Sequence, residues 1–374
     1  MTAGQRVPRR YDYVDLLRGF AALSVLICHY QWFFVTGIGA GWRTDVEMPL
    51  DPILWPFYRH GGIAVELFWV LSGFVFAVAY GQQGRDISIR TFVVHRVARL
   101  YPLHLATLLF IAMVQAVGLR ANGEWQVYPG NDLPHFLLHL GFASNWFTMA
   151  SSFNGPIWSV SVEVLVYGLF LAYLKRTGLN LAAAAMLVLA SFALARVTNS
   201  QVAVCSTLFF VGVGIAIVAP WAAGRLGRWT LPAALLGIGL FVLACVAVAA
   251  AGHGDKLPTL LIFAGTPAIL CLFVALDLGA RPLHQRWHWI GAITYAVYLL
   301  HMPVLILVRT ILGGPLEQPG MASLGAFLAL VIGLALVTHR HFEMPFQKLI
   351  RARFRSPASI APDGLPGEGQ QQGR

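Results

Sequence analysis

The sequence predicts an all-α fold: a polytopic transmembrane helix bundle of about ten helices, with both termini cytoplasmic. Three observations predict it. Of 374 residues only 11% are charged while 57% are hydrophobic, and the mean hydropathy is +0.68. Soluble domains carry about 25% charged residues, so the deficit points to lipid as the solvent. Apolar runs of about 20 residues, each enough to cross ~30 Å of hydrocarbon, recur along the chain. Basic residues then fall mainly on alternate connections.

In order, the predicted spans are 14–36, 60–80, 101–118, 158–174, 180–197, 203–222, 229–251, 257–278, 288–310 and 321–339. Segment 136–150 is too short and polar to span and reads as an interfacial or re-entrant piece. The first span holds Arg18 and His29 and is followed by no small-residue cleavage site, so it is expected to remain as an anchor. Residues 1–13 form an N-terminal arm and 14–350 the membrane domain. Residues 351–374 form a basic, then Pro/Gly-rich tail expected to be disordered. The segment 81–100 is read as a basic internal loop.

Nineteen of the 26 Lys and Arg fall on the connections shared with the N-terminus, which sets the predicted orientation. The net charge of +10 is thereby a topology signal, and with no soluble basic domain a nucleic-acid partner is excluded. Cys28, Cys205, Cys245 and Cys271 sit in apolar spans without paired spacing and are read as small apolar fillers. No internal repeat marks the paired halves common in transporters.

Ionisable groups inside spans are costly unless paired or hydrated, and so mark function. In the first span Arg18 and His29 are 11 residues apart, which puts them on one face about 16 Å apart along the axis. Asp15, at i−3, can pair with Arg18. Snorkelling to headgroups would account for Arg18 but not for His29 on the same stripe. The second span adds Glu66 and Ser72, with Gly61, Gly62 and Gly73 permitting close backbone approach. The fourth carries Trp158, Ser159 and Glu163, and the ninth Tyr295, Tyr298 and His301. His301 reads equally as a hydrogen-bonded packing residue or a functional one. Arg96 and Arg99, at i and i+3, suit either topology or a phosphate clamp. His135 and His139 have a spacing that metals use, but without a carboxylate or Cys expected nearby they read as a polar face, and no metal site is expected.

These motifs carry a resemblance. The chain resembles the acyltransferase 3 family of bacterial integral-membrane O-acyltransferases across nearly its whole length. The matching blocks are D-x-x-R-G with R-x10-H (Asp15, Arg18, Gly19, His29), Gly62 to Phe74, Arg96 to Pro102, Trp158 to Glu163, Tyr295 to His301 and a closing E-x-P (Glu343, Pro345). Where the family often has Phe-Phe in the second block, this chain has Phe68-Trp69. The periplasmic esterase-like domain that some relatives append is not expected here.

The resemblance implies a ten-helix fold in the bacterial inner membrane. It implies transfer of an acyl group, usually acetyl from acetyl-CoA, to a hydroxyl of a surface or lipid-linked carbohydrate. His29 is then expected to be the base, with Glu163 orienting either it or the acceptor and His301 with Tyr298 donating to the oxyanion. Arg18, Arg96 and Arg99 are expected to hold CoA phosphates. Glu66, Ser72, Trp158 and Ser159 are the candidate acceptor contacts, with lipid as the remaining partner. Trp125, Tyr128 and Trp146 read as a sugar-facing cluster or as an interfacial aromatic belt. A glycan transporter or flippase and an acyltransferase for a small-molecule acceptor are the alternatives. Acyl length and oligomeric state stay open.

Overall fold

The structure, a computed structural model, describes residues 10–35, 47–146, 151–279 and 287–354. Among them every regular element is helical: α1 (Asp12–Tyr30), α2 (Asp51–His60), α3 (Ala64–Tyr80), α4 (Ile89–Asn122), α5 (Leu133–Leu140), α6 (Ile157–Thr177), α7 (Leu181–Thr198), α8 (Gln201–Leu226), α9 (Thr230–Ala250), α10 (Leu257–Leu260), α11 (Thr266–Gly279), α12 (His288–Ala292), α13 (Thr294–Leu312), α14 (Met321–Thr338) and α15 (Met344–Arg353). Most of the tail and of the N-terminal arm expected from sequence lies outside the described residues.

Nine helical stretches among the described residues are long and apolar enough to cross a membrane. One of them, Gln201–Ala250, runs for 50 residues, or about 75 Å as one helix, more than twice a hydrocarbon core. It is broken at Gly227, where φ reaches +53°, and so supplies two crossings, α8 and α9. The ten predicted spans are all present. α5 has eight residues and is too short to cross, as expected of an interfacial piece.

Two boundaries differ from expectation. Of the segment 81–100 read as an internal loop, 81–88 is a connection with a 3-10 turn, but 89–100 is the start of α4, a 34-residue helix capped by the Ser88 hydroxyl, which accepts from Thr91 N–H at 3.2 Å. Arg96 and Arg99 therefore stand on a helix whose first turns are simply polar. α2 extends the second span upstream, joined to α3 by one 3-10 turn at Gly61–Ile63.

Helix contacts that set the core use small residues, as lipid-embedded packing requires. A Cβ on Gly73 would lie 1.8 Å from the Phe209 carbonyl oxygen, and one on Gly212 would lie 2.0 Å from that of Val70. The backbones of α3 and α8 thus touch across two reciprocal glycines. A Cβ on Gly61 would likewise lie 2.5 Å from the Ser24 carbonyl oxygen of α1, whereas one on Gly62 would face open space. The start of α1 is held from α11: Asp277 accepts from the Tyr13 and Val14 N–H groups at 2.9 and 3.0 Å, two donors that a helix N-terminus leaves orphaned.

Candidate active site

Five helices, α1, α3, α4, α6 and α13, surround one cavity of about 140 Å³. Seven of the residues singled out in the sequence line it: Arg18, Ser72, Arg96, Arg99, Ser159, Glu163 and Tyr298. Arg18 pairs with Asp15 at 3.2 Å. Arg96 lies 4.5 Å above the Phe76 ring and donates to the Tyr80 hydroxyl at 3.0 Å, which holds its guanidinium in a dry setting by cation–π attraction. Arg99 lies over the Tyr295 ring at 5.6 Å and faces Glu343 at 3.8 Å. Three guanidiniums from two helices thereby converge on one space, although 78 residues separate Arg18 from Arg96 in sequence. Glu163, buried on α6, accepts from the Tyr167 hydroxyl at 2.8 Å, and Ser72 lines the same cavity.

Four singled-out residues lie off that lining. Trp158 packs edge-on against the buried Trp69 at 5.7 Å. Glu66 is half-buried, and its Oε2 has no hydrogen-bond partner. His29 and His301 form a pair of their own, with His29 Nδ1 2.7 Å from His301 Nε2. The His301 ring lies 5.8 Å from that of Tyr298, and Tyr298 lies 6.2 Å from Phe68, both of which line the cavity. The histidines therefore sit one aromatic ring beyond the cavity wall.

The pair has a defined hydrogen order. His301 Nδ1 faces the Val297 carbonyl at 3.3 Å, and a carbonyl can only accept, so the His301 proton is on Nδ1. Its Nε2 then offers a lone pair, and His29 Nδ1–H donates to it. The lone pair of His29 falls on Nε2, the arrangement a general base needs. An acceptor–His–base chain of this kind orients a catalytic imidazole as a carboxylate does in hydrolytic triads. The Tyr298 hydroxyl lies 2.8 Å from the Pro156 carbonyl and 2.7 Å from the Ser159 hydroxyl, which itself reaches the same carbonyl at 3.2 Å. Of the two hydrogens expected to meet an oxyanion, the one on His301 faces a backbone carbonyl, and the one on Tyr298 is shared between Pro156 and Ser159.

Other buried polar residues were not legible from their local sequence. Pro303 has no N–H for the Leu299 carbonyl, and Asn154 donates there instead at 2.9 Å. This ties the segment before α6 to the turn that carries His301. Arg309, near the end of α13, is buried and donates to the Trp32 and Val35 carbonyls at 2.7 and 3.1 Å. It anchors the chain leaving α1 just after His29. His135 bonds Asp132 at 2.5 Å while His139 bonds Ser152 at 2.9 Å, so the two point to different partners. Outside the spans, the His135 N–H and imidazole hold the Asp132 carboxyl below its usual range, and burial pushes His139 down to about 3. Tyr128 is buried beside Trp32, and Trp146 donates to the Ser161 carbonyl at 2.9 Å. Both serve the fold at that end.

Comparison with known proteins places this geometry. The chain is 26% identical to "Acyltransferase MdmB" of Streptomyces mycarofaciens, with 94% of this chain and 95% of that protein aligned. It is also 26% identical to "Putative peptidoglycan O-acetyltransferase YrhL" of Bacillus subtilis (strain 168) over 79% of this chain, an alignment covering 48% of that longer protein. "Protein 2 in picA locus" of Rhizobium radiobacter is 29% identical over 50% of this chain and 98% of its own length. No solved structure matches the chain. A family model described as an acyltransferase domain matches residues 11–339, which include every cavity-lining arginine and both paired histidines. The chain is a multi-pass membrane acyltransferase and belongs to the acyltransferase 3 family.

Proposed function

We propose that the chain moves an acetyl group from acyl-CoA, bound from the cytoplasmic face of a bacterial inner membrane, to a hydroxyl of a cell-surface or lipid-linked carbohydrate. The observation that carries this reading is the His29–His301 pair at 2.7 Å, set one ring beyond a cavity with arginines on its wall. The guanidiniums suit phosphate oxygens, for which their planar donor forks are shaped. Anions held at Arg18, Arg96 and Arg99 would leave the pantetheine arm to reach toward the histidines. The excess of basic residues on the Arg18 side supports a cytoplasmic donor. On this reading residues 14–350 are the catalytic membrane domain, and the flanks 1–13 and 351–374 are cytoplasmic.

In the step itself His29 Nε2 takes the acceptor hydroxyl proton while that oxygen attacks the thioester carbonyl. The tetrahedral intermediate collapses with loss of CoA thiolate, which recovers the proton from His29. His301 fixes the tautomer through Val297, so no rotation is needed between turnovers. Glu163 lies among the arginines on the cavity wall and takes a hydrogen bond from Tyr167. It supports the cavity more directly than it supports His29. The name of the Bacillus subtilis relative specifies a peptidoglycan acceptor for that protein, which supports a carbohydrate here.

The test uses membranes with labelled acetyl-CoA and the glycans of the source cell. Loss of a positioned base costs roughly 10²- to 10⁴-fold, so His29→Ala is expected to abolish measurable transfer while acetyl-CoA binding persists. Unchanged transfer would remove His29 from the mechanism. Label recovered only in a small molecule would exclude the carbohydrate acceptor.

A further inference from the structure

α14 does not pass smoothly into α15. The residues between them, His339–Glu343, form one π turn. Such turns cost regular hydrogen bonding and gather at functional sites. This one brings two residues of the last span to the cavity's arginine end. Glu343 is 2% exposed, a position that carboxylates almost never take without a partner. Its Oε2 accepts from His339 Nδ1 at 2.6 Å and faces Arg99 Nη1 at 3.8 Å. Its Oε1 is buried with no partner at all.

Arg99 is otherwise held weakly. Its one hydrogen bond is to the Ala292 carbonyl at 3.5 Å, and the Tyr295 ring lies 5.6 Å from the guanidinium carbon. Arg18 is already engaged by Asp15 at 3.2 Å, and Arg96 by Tyr80 at 3.0 Å. Of the three cavity arginines, Arg99 thus has the longest polar contacts, and one carboxylate among the described residues stands within 4 Å of it. That carboxylate belongs to Glu343, which does not itself line the cavity.

We infer that Glu343 is a positioning residue for the donor: fixed by His339 across the π turn, it holds the Arg99 guanidinium at the cavity, and so sets donor affinity without touching the reacting atoms. The unpartnered Oε1 leaves one acceptor in reserve, so Glu343 can take an Arg99 N–H when the guanidinium gives up the Ala292 carbonyl to meet an anion. Without the carboxylate, Arg99 keeps no anion among its observed contacts, only the long Ala292 hydrogen bond and the Tyr295 ring. The inference rests on acyl-CoA being the donor.

The experiment measures acetyl-CoA-dependent transfer by the full-length protein in membranes, for Glu343→Gln, Glu343→Asp, Arg99→Ala and the Arg99→Ala/Glu343→Gln double variant. A hydrogen bond to a charged group corresponds to roughly ten- to a hundredfold in binding. The KM for acetyl-CoA is expected to rise by that factor in Glu343→Gln, with kcat within about threefold of the unsubstituted protein. Glu343→Asp, which keeps the charge, is expected to recover part of the loss. The double variant is expected to be no worse than Arg99→Ala alone, because the two residues act as one unit. An unchanged KM in Glu343→Gln overturns the inference, as do fully additive losses or a fall in kcat alone. A wild-type protein that transfers nothing from any acyl-CoA would overturn the donor reading, and this inference with it.

Discussion

α13 and α9 are both apolar helices of about twenty residues, yet they do opposite work. α13 buries Tyr298, His301 and Arg309 with most of its apolar residues, and its carbonyls bind Asn154 and the His301 imidazole. α9 buries none of its 21 residues, and its Leu236, Leu240 and Leu243 are 58–64% exposed. In water such a helix would be a liability. In lipid it is the cheap outcome, because hydrocarbon solvates leucine as well as a protein core does. What draws a helix to the centre of this bundle is therefore the need of its polar groups for partners. Apolarity alone leaves a helix at the rim.

That contrast can be broken most sharply where the central helices touch. Gly73→Leu places a side chain where even a Cβ would lie 1.8 Å from the Phe209 carbonyl oxygen. Overpacking of this kind costs about 3 kcal/mol or more, so little folded protein is expected by size-exclusion chromatography in detergent. Recovery at wild-type yield and melting temperature would show that α3 and α8 separate freely. Next in size is His301→Phe, which keeps an aromatic ring but removes the acceptor of the His29 proton. Loss of a tautomer-fixing partner is expected to lower kcat roughly 10²- to 10⁴-fold, as it does in triads, with donor KM little changed. A kcat near that of the wild type would reduce His301 to packing. The smallest effect belongs to the rim: Leu240→Ala on α9 is expected to shift stability by under about 0.5 kcal/mol, as exposed substitutions do. A large loss of thermal stability would mean that α9 is covered by something other than lipid.

The ten crossings were legible because each needs about 20 apolar residues, whatever its neighbours. The site was legible in part, through residues that lipid should reject. Arg18, Glu163 and His301 stood out on that ground alone, and all three stand at or beside the cavity. The R-x10-H spacing put Arg18 and His29 on one face, but it held no sign that His29 would meet His301, 272 residues away. Nor could it show that the His301 Nδ1 faces a backbone carbonyl and that Tyr298 meets Ser159 and Pro156. Asp277 and Asn154 were passed over because a lone Asp or Asn near a helix end is unremarkable until its partner is known. The expected loop at 81–100 failed for a simpler reason: polar residues mark where a helix leaves lipid, and α4 begins in its polar part.

By itself, then, the amino-acid sequence determined the solvent, the number of crossings, the family and most of the chemically unusual residues. The solvent and the crossings follow from composition and run length, which neighbouring residues dictate, and the family from the resemblance carried by six short motifs in order. The tertiary structure decided which imidazole supports which, where the phenol and imidazole hydrogens go, and how one carboxylate in the last span reaches an arginine in the third. Those are pairings between distant helices. In a membrane they are set by where backbones can approach and polar groups can find partners, and hydropathy encodes neither.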